Sequence, residues 1–322
     1  MDDQKIIVKN YSWNKAFSFV YNMQKRIYKS AYVFDTNRVL LIQKLLLNSN
    51  SLRLLSIRDV TQLNSVKKIA GVDNKLSLTF SERFELNEFL KCNCNNWYPN
   101  ILRKVFFLDE NNIVKKYSLP TIADRAWYSL IKFILDPVYE ASFNPRLFGF
   151  RQIRSIYQIQ NLFFLNLCSS SFGSQKRILK LELDENFSSF DLALFMGKII
   201  APRNVKLGIF RALKKNLILS YSKFFADNLS IIPLFLNILL NGIELFHPCI
   251  RSGSTIILFL KPTDNESILV SKLKNFLLKL GLRNLGLKIN IFSAYEGVDF
   301  LMWYFKITKH DNFLCYPLCY SL

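Results

Sequence analysis

Apolar residues fall at Trp13, Phe17, Val20, Ile27 and Ala31, close to the three-and-four spacing that gathers side chains on one helix face, and Lys15, Lys25, Arg26 and Lys29 are interleaved with them. The pattern predicts an amphipathic, basic helix from Trp13 to Ala31. A second helical stretch, Asn37 to Leu47, leads into a third from Leu52 to Thr61, and Ala70-Gly71-Val72-Asp73-Asn74 reads as a turn. The period then changes. Arg103 to Leu108 is β-prone, Asp109 to Asn112 has turn chemistry, and Val114 to Leu119 resumes an extended pattern as far as Pro120, which together predict a hairpin. Helical spacing returns from Asp124 to Tyr139, is broken at Asn144-Pro145 and Gly149, and resumes from about Ser155 to Cys168; Arg177 to Leu183 reads as a strand. Cys249-Ile250-Arg251 and Ile256 to Leu260 flank Ser252-Gly253-Ser254-Thr255 as strand, tight turn, strand. Leu269, Leu273, Phe276, Leu277 and Leu280 then mark a helix ended by Gly281. The expected class is α+β.

The chain has 322 residues, enough for two or three domains at roughly 150 residues each. Half of its residues are hydrophobic and 21% are charged, the balance of a folded chain. Forty-three Lys and Arg against 24 Asp and Glu leave a net charge of +19, which points to a polyanionic partner. The excess is concentrated. Ala141 to Leu181 holds Arg146, Arg151, Arg154, Lys176, Arg177 and Lys180, and Leu192 to Ala226 holds Lys198, Arg203, Lys206, Arg211, Lys214, Lys215 and Lys223, with no carboxylate in either window. A solvated surface normally mixes signs, so unmixed windows favour a phosphate-tracking surface. Phe148, Phe150 and Tyr157 lie near them as candidates for base stacking or for core packing.

Other chemistries find little support. Only His247 and His310 are present, and Cys92, Cys94, Cys168, Cys249, Cys315 and Cys319 form no CxxC pair, so no metal site and no cofactor is expected, and free thiols in a reduced compartment are the plain reading. There is no GxxxxGK phosphate loop and no GxSxG elbow. Two uncharged runs, Ser155 to Gln175 and Asn228 to Ile243, are interrupted by amides, serines, glycine or proline and fall short of the roughly 20 apolar residues of a membrane span. The opening MDDQKIIVKNYSW has neither the apolar core of a secretory signal nor the Arg-rich, acid-poor character of a transit peptide.

The segment KKYSLPTIADRAWYSLIKFILDPVYEASFNPRLFGFRQIRS, Lys115 to Ser155, resembles the finger region of group II intron reverse transcriptase/maturases, whose landmarks run RPLGIPT, DR, EP and YGFRPGRS. Pro120-Thr121, Asp124-Arg125, Asp136-Pro137, Gly149-Phe150-Arg151 and Ser155 stand in that order. Upstream, Trp13, Gln24, Arg26-Ile27, Ser56 to Gln62 and the AGVD of Ala70 to Asp73 are similar to the family's N-terminal extension. Downstream, LELD (Leu181 to Asp184), Ser230 to Glu244, Gly281-Leu282 with Lys288, and EGVDFLMW (Glu296 to Trp303) continue the likeness, which covers about residues 13 to 303. The resemblance implies a right hand of fingers and palm over 76–322, preceded by a helical N-terminal extension over 1–75. With the chain ending 19 residues after Trp303, the helical thumb or X domain is expected to be absent.

Departures from the family pattern set the functional expectation. Family members that copy RNA carry a YADD turn whose aspartates, with one more from the preceding strand, hold two Mg²⁺ ions; Ser252, Gly253, Ser254 and Thr255 occupy those positions here. Asp184 or Glu185 competes for the remaining carboxylate slot, and Ala226-Asp227-Asn228 stands where the family has PQG. The chain therefore resembles degenerate organelle intron maturases that bind intron-containing precursor RNA and assist its splicing without chemistry of their own. An active RNA-directed DNA polymerase and a degenerate subunit of a larger splicing assembly, in which another protein supplies the thumb or X function, are the alternatives. Candidate RNA-binding residues are Lys25, Arg26 and Lys29, Lys115, Lys116 and Arg125, Arg151 and Arg154, and Lys206, Arg211, Lys214 and Lys215, each set against the alternative of a solvated charge. The Phe-rich, Gly-poor composition suggests an A+T-rich genome and, with the resemblance, a plastid (chloroplast) rather than a mitochondrial origin.

Overall fold

A computed structural model describes residues 12–63, 70–108, 114–151, 154–169, 172–183, 186–187, 190–215, 219–220, 231–282, 286–308, 310 and 312–318, with the backbone alone at 107–108, 114–117, 169, 186–187 and 219–220. In chain order the helices and strands are α1 (Trp13–Tyr32), α2 (Thr36–Leu47), α3 (Asn50–Arg58), α4 (Phe80–Asn93), β1 (Arg103–Leu108), β2 (Val114–Leu119), α5 (Ile122–Glu140), α6 (Ile156–Phe164), β3 (Arg177–Leu183), β4 (Asn186–Phe187), α7 (Leu192–Lys198), α8 (Arg203–Lys214), β5 (Leu219–Ser220), α9 (Ile231–Leu239), β6 (Cys249–Ser252), β7 (Thr255–Leu260), α10 (Glu266–Lys279), β8 (Leu287–Ser293), β9 (Val298–Phe300), β10 (Trp303–Ile307) and β11 (Phe313–Pro317). The class is α+β. Two compact units are drawn from interleaved segments, one from 1–142, 196–218 and 223–234, the other from 143–195, 219–222 and 235–322.

The first unit is built around α5. Thr121 caps it by accepting from the Asp124 N–H, and Ala126, Trp127, Leu130, Ile131, Ile134 and Leu135 are fully enclosed. α1, α2 and α3 pack against it. Each begins at a polar cap whose side chain accepts a first-turn N–H: Ser12 from Lys15, Asp35 from Arg38, Ser49 from Leu52. α1 turns Ala16, Val20, Met23 and Ile27 inward, a seam that alternates four and three residues. This corrects the expected face: Phe17 is exposed, because the small Ala16 lets the helix approach where the larger ring would not fit. α3 ends in a π-helical turn, Asp59–Leu63. α4 opens in a capping box, Thr79 with Glu82.

The second unit holds an antiparallel sheet in the order β6-β7-β3-β8, with Glu182 opposite both Thr255 and Lys288. The predicted strand–turn–strand over Cys249 to Leu260 is present as β6 and β7. A three-stranded sheet, β11-β10-β9, and α6 close the core, where Phe163 stacks on Phe305 at 4.1 Å between centroids and meets Phe259 edge to face at 5.1 Å. Phe148 belongs to this core, whereas Phe150 and Tyr157 are exposed. Among the described residues, no helix is long and apolar enough to cross a membrane.

Candidate nucleic-acid interface

The side of α1 opposite its buried seam carries no carboxylate in any of its 20 residues. Around the rest of the helix circumference Lys15, Lys25, Arg26 and Lys29 are exposed, together with Phe17, Phe19, Tyr21, Tyr28 and Tyr32. Tyr21, Lys25, Tyr28 and Tyr32 repeat at four, three and four residues, so they form a single stripe along the helix. Tyr28 and Tyr32 stack with ring centroids 6.5 Å apart. The helix is fixed from behind: Gln24 Nε2 donates to the Phe133 carbonyl of α5 at 2.8 Å. Large exposed rings cost solvation and are common where an aromatic partner covers them; interleaved with ammonium groups they match what unpaired bases and their phosphates require.

A second basic surface lies on α8 and the loop beside it. Val205, Gly208, Ile209, Ala212 and Leu213 face inward, and Arg203, Leu207, Phe210, Lys214 and Lys215 are exposed. Arg211 is tethered: its guanidinium donates to Asn96 Oδ1 at 2.9 Å and the Trp97 carbonyl at 3.1 Å, and lies 3.7 Å over the Tyr98 ring. Lys215 Nζ donates to the Pro99 carbonyl, and Lys206 Nζ to the Met196 carbonyl at 3.4 Å. That loop is anchored by Asp124, which accepts from Trp97 Nε1 at 2.9 Å and from the Asn100 N–H at 3.1 Å; burial raises the Asp124 carboxyl against these bonds.

The AGVD and PT–DR landmarks meet in space. A Cβ on Gly71 would lie 2.7 Å from the Pro120 carbonyl oxygen, and Asp73 Oδ2 accepts the Ile122 N–H at 2.9 Å, capping α5 from outside. Arg125 is only 7% exposed and donates from Nε to the Pro120 carbonyl at 3.1 Å; burial lowers its pKa and Asp73 opposes that shift.

In the second unit, Gly149 is pressed onto the β6–β7 turn, where a Cβ would come within 2.3 Å of the Gly253 nitrogen. Phe150 follows with φ +59°, and Arg151 donates to the Asn144 and Leu147 carbonyls at 2.9 and 3.0 Å, so this arginine closes its own loop. Behind the turn, Arg251 is fully buried and pairs with Glu244 at 2.9 Å. Lys180 Nζ lies 2.8 Å from Glu182 and 2.9 Å from both Asp299 oxygens. Burial works against its charge, but the two carboxylates prevail and raise its pKa. No three His, Cys, Asp or Glu side chains gather to hold a metal among the described residues.

Residues 9–90 match the N-terminal domain of reverse transcriptase. Over 303 residues the chain is 46% identical to Maturase-like protein 1 of Euglena gracilis, an alignment spanning 94% of this chain and 66% of that one. It is 44% identical over 308 residues to Maturase-like protein 1 of Euglena longa, spanning 95% and 68%. The chain belongs to the group II intron maturase family. It spans about two thirds of the length of these maturase relatives. The reverse-transcriptase N-terminal match contains the whole of α1 with its basic, aromatic stripe.

Placed on the maturase structure, the candidates separate. Lys25, Arg26 and Lys29 share one exposed face, and Lys214 and Lys215 share another with Arg203. Arg154 is half-buried. Arg125 is corrected to an interior residue that ties the Pro120 turn to α5, since a buried, bonded guanidinium does not reach a phosphate. The side chains of Lys115 and Lys116 lie outside the described residues, as do Asp184, Glu185 and Ala226 to Asn228. Tyr21, Tyr28 and Tyr32 are missing from the sequence-derived set, although their spacing around Lys25 is visible in the sequence.

Proposed function

We propose that this maturase binds structured intron RNA and assists its folding and splicing, without polymerase chemistry of its own. The observation that carries the reading is the carboxylate-free exposed surface of α1, which bears four cationic side chains and a run of exposed aromatic rings on a helix locked to the core. Ammonium and guanidinium groups neutralise phosphates, and rings stack on unpaired bases, which is how sequence-tolerant RNA contacts are made. The hydroxyl-bearing Ser252–Thr255 turn supports the non-catalytic half of the proposal, because neutral hydroxyls are weak Mg²⁺ ligands. In the same reading residues 1–75 form the N-terminal extension and 76–322 the fingers and palm, with β6-β7-β3-β8 as the palm sheet. The name carried by the Euglena relatives and the Phe-rich composition support an organelle-encoded gene, with the plastid as the proposed compartment and the mitochondrion as its alternative.

Filter binding to a group II intron transcript at two salt concentrations tests it. Four phosphate contacts from Lys15, Lys25, Arg26 and Lys29 on unpaired RNA predict a log–log slope of about −2.8, so a fourfold rise in salt weakens binding roughly 50-fold. Salt-insensitive, weak retention would refute RNA binding. Incorporation of labelled deoxynucleotides on a primed RNA template would refute the non-catalytic assignment.

A further inference from the structure

The first unit contains a cavity of about 190 Å³ lined by Trp13, Leu54, Ile57, Arg58, Gln62, Phe80, Arg83 and Phe84. Its composition is unusual in two respects. Arg58 and Arg83 each bury an Nε–H that has no hydrogen-bond partner among the described residues, and neither arginine forms an ion pair among them. The nearest acids in sequence are engaged elsewhere: Asp59 accepts from Ser129 Oγ at 2.6 Å, and Glu82 is held by Lys75 and by the Thr79 cap of α4. Arg58 and Arg83 both form part of the cavity wall and no carboxylate among the described residues lines it, so the site is cationic and an external anion complements it.

The walls specify what accompanies that anion. Arg58 Cζ lies 4.5 Å from the centroid of the Trp13 ring and 5.8 Å from that of Phe17, so two aromatic rings of α1 pack against the guanidinium. Phe80 and Phe84 meet edge to face at 5.2 Å, and Leu54 and Ile57 complete the apolar lining. Gln62 contributes an amide, able to donate and accept, from the π-helical turn that Arg58 immediately precedes. Such turns recur at functional sites. The volume is below the roughly 300–1,000 Å³ of pockets for drug-sized ligands and suits a single flat ring system.

We propose that this cavity receives one extruded nucleotide of the bound RNA, its base against Trp13, Phe80 and Phe84 and its phosphodiester on Arg58 and Arg83. The inference rests on the RNA-binding reading above and deepens it by locating a shape-specific contact: a paired base cannot enter, so the site recognises a bulge or loop rather than a duplex.

The test measures anisotropy of two labelled RNA hairpins, identical except that one carries a single bulged nucleotide. Wild-type protein is expected to favour the bulged hairpin about tenfold. Arg58→Gln and Arg83→Gln should each reduce that preference to less than twofold while changing affinity for the paired hairpin less than threefold, with circular dichroism reporting the fold. Equal affinity of wild type for both hairpins overturns the pocket but leaves RNA binding intact, whereas failure to bind either at low salt defeats the underlying reading. Saturation of the site by free adenosine monophosphate, with no preference for the bulge, assigns it to a free nucleotide and also overturns the proposal. Should the variants fail to fold, photocrosslinking of wild-type protein to a bulged 5-iodouridine decides: crosslinks at Trp13 or Phe84 support the site, and crosslinks confined to α8 overturn it.

Discussion

Replacing Glu244 by Gln is expected to destabilise the second unit more than any surface substitution. The Arg251 side chain is 0% exposed and that of Glu244 4%, and their Nε–Oε1 bond of 2.9 Å is the guanidinium's short contact; those to Asn237 Oδ1 and O are 3.4 and 3.5 Å. Gln preserves shape and one acceptor but leaves a buried cation whose partners among the described residues are neutral oxygens. Removing one partner of a buried pair costs about 3–5 kcal/mol, and the retained acceptor puts Glu244→Gln near the lower end, about 3 kcal/mol. With about 2–4 °C per kcal/mol for a domain of this class, calorimetry should record a fall in Tm of roughly 6–12 °C. The double variant Glu244→Gln with Arg251→Met removes both charges and should recover most of the loss, giving a favourable coupling energy in the thermodynamic cycle. The damage would extend through the backbone, because the Arg251 N–H donates to the Arg146 carbonyl at 3.1 Å and the Phe148 N–H to the Arg251 carbonyl at 2.8 Å. A Glu244→Gln protein melting within a degree of wild type, or a double variant as unstable as the sum of the singles, would refute the reasoning.

Glu82 gives a pH dependence. Lys75, then the Thr79 backbone and side chain, hold its carboxyl down at about 2 from an ordinary 4.5. A depressed native pKa stabilises above the ordinary value and fades as pH falls through the depressed one, so melts of wild type and Glu82→Gln should diverge above about pH 5 and converge near pH 2; parallel curves throughout would sink the assignment. Gly149→Ala would place a Cβ 2.3 Å from the Gly253 nitrogen and 3.1 Å from Ser252 Cα, backbone that cannot swing aside, and should lower stability by about 1–3 kcal/mol in a denaturant titration; an unchanged midpoint would show that the contact is relaxed in solution.

The elements that the sequence discloses are those whose periodicity owes little to distant partners. α1, the Arg103–Leu119 hairpin, β3 and the β6–β7 turn are read within a few residues of where they lie. α4 is missed despite its Thr79-to-Glu82 cap signature, because its inward face includes Asn87, buried by bonds with Arg53 Nε and Asn50 Oδ1, which spoils the apolar spacing. α8 is visible only as a basic window: its charges outweigh the Val205, Ile209, Ala212 and Leu213 stripe. Arg125 reads as a surface charge at a helix start, and only the fold shows that the turn bearing Pro120 covers it. The cavity joins Trp13, Arg58 and Arg83 from three separate helices, and no spacing rule connects them.

Lys180 has a consequence for how the second unit responds to its surroundings. Its ammonium, 9% exposed and clasped by Glu182 and Asp299, is a counterion bound to the chain by its own methylenes. Chelators cannot extract it and dialysis cannot dilute it. Charge compensation at this spot is inherited with each copy of the polypeptide instead of being drawn from the solution, and on the alkaline side it holds until the medium can strip the proton from a lysine whose neighbours resist giving it up.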